Sequence, residues 1–94
     1  MGSGGELVRR RVLVSGHVQG VWFRQSCQEQ AIHVGVAGWV RNLPDGRVEA
    51  CFEGAGPAVD RMVRWCHHGP PRARVRAVLV AEERPAGASG FEVR

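Results

Sequence analysis

An α+β fold with the element order βαββαβ follows from three observations on the 94-residue sequence. Apolar residues recur at helical spacing over residues 23–34 and again from Pro57 to Cys66. The runs around these two segments are rich in β-branched residues and alternate in polarity, as strands do. Gly and Pro punctuate the boundaries between the elements.

Leu7 to Ser15, LVRRRVLVS, puts Val8, Val12 and Val14 on one face and reads as the first strand, which Gly16 ends. Phe23, Cys27, Ala31 and Val34 form one helical stripe, and Gly35 follows where a helix C-cap favours glycine. GWVRN, LPDG and RVEACFE then read as two short strands joined by a turn with Pro44 and Gly46 in their usual places and Asn42 at its mouth. Pro57 suits the first position of a second helix with the stripe Val59, Met62, Val63 and Cys66, and GPP from Gly69 stops it. Arg72 to Val80 alternates strictly at first, with Arg72, Arg74 and Arg76 on one face and Ala73, Val75 and Ala77 on the other, and reads as a strand with one wet face. GFEVR adds a brief final strand after a loose RPAGASG connection. One antiparallel sheet with both helices on one face covers every apolar stripe, which is the ferredoxin-like arrangement. Residues 7–94 are expected to form this single domain, and the Gly/Ser-rich residues 1–6 a flexible leader.

Composition narrows the function without choosing it. The net charge is +4, and all thirteen basic residues are arginine, whose planar fork suits phosphate and carboxylate. Such an excess is compatible with nucleic acid, an anionic membrane surface or a small anionic substrate. Cys27, Cys51 and Cys66 cannot all pair within one chain and belong to no C-x-x-C unit, so reduced thiols and a cytoplasmic location are expected. No apolar run is long enough to span a membrane.

The stretch GHVQGVWFR, Gly16 to Arg24, carries the chemistry. It runs from the end of a strand into the start of a helix, where unpaired N–H groups meet the positive end of the helix dipole. No Ser, Thr, Asp or Asn stands between Gly16 and Arg24 to cap those donors, and no Asp or Glu occurs from Leu7 to Gln28. Gly16 and Gly20 allow the loop to curl into a nest of N–H groups, and Arg24 adds a forked cation one turn into the helix. Together these describe an anion cradle, although a glycine-bearing connection and a solvated arginine are also ordinary features. It is not a P-loop, because the spacing differs and the Lys-Ser/Thr pair is absent. Asn42 is a second candidate, with a plain alternative as a residue that satisfies backbone groups at the hairpin entrance. His17 lies in the loop, where it serves electrostatics as readily as proton transfer. In WCHHG, Cys66 belongs to the apolar stripe, while His67 and His68 fall in the last helical turn, where the dipole favours positive charge over metal ligation.

GHVQGVWFR and GWVRNLPDGRVE together resemble the two signature stretches of the acylphosphatase family. MVRWCHHGPPRARV and the terminal GFEVR look like the corresponding segments of that family, so the resemblance runs from about Arg10 to the end. It implies a hydrolase that splits the mixed anhydride of a carboxylic acid and phosphate with neither metal nor cofactor. It also implies that the backbone amides of Val18, Gln19, Gly20 and Val21 and the side chain of Arg24 hold the phosphoryl group, while Asn42 orients the attacking water. Phosphoryl transfer to water from so good a leaving group needs mainly alignment and charge stabilisation, so no strong base is required.

Two other classes share the element order. An RNA-recognition domain should carry stacking aromatics on its third strand, and RVEACFE offers Phe52 alone. A domain of this fold within a larger enzyme, such as the acylphosphatase-like part of hydrogenase maturation proteins, fits the free-standing length poorly. The expectation is therefore a monomer acting on a small acyl phosphate, with no nucleic acid and no membrane as partner.

Overall fold

The central strand β1 (Leu7–His17) needs a hydrogen-bonding partner on each edge, and the computed structural model, which describes residues 6–94, supplies both. β3 (Val48–Ala55) pairs with it antiparallel from Leu7↔Ala55 to Val14↔Val48. β4 (Arg74–Glu83) pairs antiparallel along its other edge. β2 (Ala37–Asn42) lies antiparallel to β3, and β5 (Phe91–Val93) joins β2 in parallel, giving the order β4-β1-β3-β2-β5. The antiparallel sheet expected from the sequence is thus extended by one short parallel edge strand. The leader expected over residues 1–6 lies, apart from Glu6, outside the described residues.

Helix α1 (Phe23–Val34) covers β2 and β5, and α2 (Gly56–Cys66) covers β1 and β3 on the same side. The predicted stripes point inward: Phe23, Cys27 and Ala31 of α1 and Val59, Met62 and Cys66 of α2 are buried. Burying a side chain such as Val59 or Met62 contributes about 1.5–3 kcal/mol, which is what holds two short helices in place. Gly35 ends α1 at φ 80, its N–H directed to the carbonyls of Ala31 and Ile32, a conformation costly for any residue with a Cβ. Phe23 and Trp65 meet edge to face at 5.1 Å and tie the helices together. No helix among the described residues is long and apolar enough to cross a membrane.

The alternation expected in β4 changes phase. Ser15 pairs with Ala77 and Gly16 with Val75, so the ladder slips at Arg76. After the slip Val78, not Ala77, packs against the core beside Val75, and Ala77 is exposed. The extra residue of this bulge, Arg76, is on β4, opposite the point between Ser15 and Gly16 where β1 nears the edge of the sheet.

The sheet face away from the helices is built from charge. Glu49 and Glu53 of β3 are only 4% and 2% exposed. Arg11 and Arg41 hold Glu49 at 2.8 and 2.7 Å, and Arg9 holds Glu53 at 3.0 Å. Much of the arginine excess is therefore committed to the fold. Burial alone would raise the pKa of Glu49, but the two guanidinium contacts outweigh it and hold the carboxyl below its usual range. Glu53 also accepts the main-chain N–H groups of Ala86, Gly87 and Ala88 at 2.9, 2.9 and 3.1 Å. The RPAGASG connection, expected to be loose, is pinned there, because a buried carboxylate needs donors to offset its lost hydration. The three cysteines are free and buried, and burial raises their pKa values, that of Cys66 to about 12, so they are poor nucleophiles.

The pinned connection yields a stability prediction. The N–H of Ala86, followed by Arg9 and the other two amides, keeps the pKa of Glu53 below its ordinary 4.5. A lowered pKa stabilises the fold above the ordinary value, and that contribution is lost as pH falls through the lower folded value. Glu53→Gln should therefore lower stability at pH 7 by about 1–3 kcal/mol, and the difference from the native chain should shrink below about pH 4.5. Denaturant melts across pH 3–8 read both effects. A constant difference across that range would contradict the clamp.

Candidate functional site

The site begins where β1 runs out of sheet. Gly16 has φ 123, and a Cβ there would stand 2.2 Å from the carbonyl oxygen of Arg74, so only glycine admits the close approach at the bulge. The chain then crosses to α1 through a loop that is fixed from two sides. Val18 and Val21 turn their side chains into the core and are 1% and 3% exposed. Gln19 donates from Nε2 to the carbonyls of Leu43 at 2.8 Å and Arg47 at 2.9 Å. Leu43 and Arg47 also bond each other across the β2–β3 turn, so Gln19 locks the loop to the hairpin. Sequence reading assigned Gln19 only a main-chain role. Its side-chain role depends on which carbonyls the fold brings near, and no local pattern encodes that.

Among the described residues, no main-chain acceptor takes the N–H of Val18, Gln19, Gly20 or Val21. The N-cap of α1 is Trp22, which makes no side-chain cap hydrogen bond, and the first turn holds no acidic residue. The free donors and positive helix end inferred from the sequence are thus present. Trp22 has φ 67 and ψ 24, the only non-glycine positive φ among the described residues. For a bulky side chain this conformation costs about 1–2 kcal/mol.

A pocket of about 400 Å³ brings together Val18, Gly20, Arg24 and Asn42. Trp22, Phe23 and Val93 supply its apolar lining. The side chains of Gln19 and Val21 are not part of it, and His17 is exposed outside it. Arg24 sits in the first turn of α1, where the dipole repels a cation. Two positive features are superposed there, an arrangement that an anion between them would stabilise. Arg24 is held by Nη1 donating to the main-chain oxygen of Arg94 at 2.9 Å. Arg94 is fixed in turn, because its N–H bonds the carbonyl of Val40 at 2.8 Å and its guanidinium lies 4.8 Å from the Trp39 ring centroid. The final strand therefore builds part of the site, which a three-residue run gave no reason to expect.

Asn42 ends β2 opposite Val48 and is half-buried beside the pocket. The hairpin carbonyls of Leu43 and Arg47 beside it are bonded by Gln19. At the end of α2, His67 sits at the C-cap, its N–H bonds the Arg64 carbonyl, and its Nδ1 lies 3.1 Å from the Val63 oxygen. Among the described residues, no group of three or more His, Cys, Asp or Glu side chains is placed to hold a metal ion.

Known proteins share the sequence pattern and the fold. The family model described as Acylphosphatase matches residues 10–93. An acylphosphatase of Rubrobacter xylanophilus is 65% identical over 96 residues, which cover 100% of this chain and 86% of that protein. The structure of an acylphosphatase from Coxiella burnetii superposes with a TM-score of 0.90 at 38% identity, covering 94% of this chain and 93% of that one. The crystal structure of acylphosphatase from Bacillus subtilis gives 0.89 at 38% identity, covering 93% and 98%. With both signature stretches folded around one pocket and the match running through almost the whole sequence, the chain belongs to the acylphosphatase family.

Proposed function

We propose that the pocket binds the phosphoryl group of an acyl phosphate and directs water onto its phosphorus, releasing a carboxylate and inorganic phosphate. The observation that carries this reading is the convergence of Arg24 and Asn42 on a loop whose N–H groups have no main-chain acceptor. The amides of Val18, Gln19, Gly20 and Val21 and the guanidinium of Arg24 hold the phosphoryl oxygens, where charge is spread in the transition state. The Asn42 amide orients the attacking water. A bond forms between the water oxygen and phosphorus, while the bond from phosphorus to the acyl oxygen breaks and its electron pair leaves with the carboxylate. The water proton passes to a phosphoryl oxygen of the substrate itself.

Because the leaving group is a stabilised carboxylate, alignment and charge stabilisation supply the catalysis, and neither metal nor cofactor takes part. The pocket suits a small-molecule substrate and not a polymer, and the proposed working form is a monomer in the cytoplasm. The direct test is phosphate release from acetyl phosphate, with a phosphate monoester as control. Rapid release from the first and little from the second is expected; equal release from both would remove the case for acyl phosphates.

Variants separate the roles. Arg24→Lys keeps the charge but loses the fork and should forfeit most of the activity, whereas a fully active lysine variant would sink the assignment. Asn42→Ala should lower kcat by about 10²–10³ with little change in competitive inhibition by inorganic phosphate. Near-normal kcat with a lowered melting temperature would make Asn42 structural. Gln19→Ala should weaken phosphate inhibition and cost about 1–3 kcal/mol of stability together, because two hydrogen bonds between loop and hairpin disappear. A stability loss with unchanged inhibition would show that the loop holds its shape without that brace.

A further inference from the structure

Trp22 is in the wrong place for every structural role open to it. It caps α1 without a side-chain hydrogen bond, holds a backbone conformation that suits glycine or asparagine, and is 70% exposed, so it neither fills the core nor relieves the backbone. Asparagine there would take the same angles with less strain and would offer the helix a cap. A strained conformation retained at a pocket is a pointer to function. Trp22 lines the same pocket as Arg24 and Asn42, and its apolar neighbours there are Phe23, which is buried, and Val93, which is 39% exposed.

Resting on the acyl phosphate reading above, we infer that Trp22 is the acyl-recognition surface of this site and selects acyl phosphates with a flat, apolar acyl group. The phosphoryl group satisfies the polar end of the pocket, which leaves the substituent on the carbonyl carbon to find its own contact. A large aromatic ring with most of its surface in water gains by covering itself with that substituent. The lining holds no carboxylate to favour a cationic acyl group. A short acyl group, as in acetyl phosphate, has too little surface to cover the ring.

The test compares benzoyl phosphate with acetyl phosphate as substrates of the native chain, Trp22→Phe and Trp22→Asn. The ratio of the two kcat/KM values should favour benzoyl phosphate in the native chain, fall about tenfold in Trp22→Asn and be largely restored in Trp22→Phe. Trp22→Asn should melt no lower than the native chain, since it sheds strain and gains a cap. Binding of the non-hydrolysable phenacylphosphonate and acetonylphosphonate, measured by calorimetry, gives the same comparison without turnover. An unchanged ratio in Trp22→Asn, in turnover and in binding, overturns the platform while leaving acyl phosphate hydrolysis intact. Selective binding of the phenacyl probe that depends on Trp22, in a chain that hydrolyses neither substrate, upholds the platform and instead removes the proposed reaction. A lower melting temperature with equal losses on both substrates makes Trp22 a structural residue of the loop and overturns the inference.

Discussion

The loop between β1 and α1 is fixed in place while its main-chain donors keep no main-chain acceptor, and much of the surrounding structure bears on these two facts. A loop normally gains rigidity by spending its N–H groups on internal hydrogen bonds. This one is fixed by side chains instead. Val18 and Val21 anchor it in the core, and Gln19 bonds it to the β2–β3 hairpin. Gly16, at the point of departure, lets β1 lie close against the β4 backbone. The donors remain available because other atoms do the holding.

The charge distribution divides the labour in the same way. Arginines on the sheet face away from the helices neutralise two buried glutamates, and one of those glutamates pins the connection that leads to β5. β5 then places Val93 in the pocket wall and Arg94 where its main-chain oxygen holds the Arg24 guanidinium. Removing an arginine would leave a buried glutamate short of a donor, so this far face is no spare surface. Its ion pairs help position a group on the other side of the sheet. Arg24 differs from these arginines in bonding to a main-chain oxygen, that of Arg94, and to no side-chain carboxylate among the described residues.

Where one periodicity dominated, the fold was legible in the sequence. The α1 stripe from Phe23 to Val34 and its glycine cap stand as read, because burial and the 3.6-residue repeat point the same way. The face of Ala77 in β4 was misread, since a one-residue bulge at Arg76 leaves no compositional trace and moves Val78 into the place expected for Ala77. RPAGASG looked loose because its restraint comes from Glu53, far away in sequence. The gathering of Arg24 and Asn42 at one pocket was legible only through the pairing of two motifs, as neither residue stands out by itself. The side-chain role of Gln19 and the exposed, strained setting of Trp22 belong to the three-dimensional path of the loop, which spacing and composition do not specify.

If the unpaired amides of this loop form the anion site together with Arg24, as proposed, both must respond to the same bound anion. Titration of inorganic phosphate into ¹⁵N-labelled protein, followed by amide and guanidinium NMR shifts, tests it most directly. The account predicts that the largest changes fall on the N–H groups of Val18, Gln19, Gly20 and Val21 and on Arg24 Nε, saturate together, and weaken as salt is raised. Shifts centred instead on the groove between the helices, at His33, Arg61, Arg64 and His68, with the loop unmoved, would contradict it.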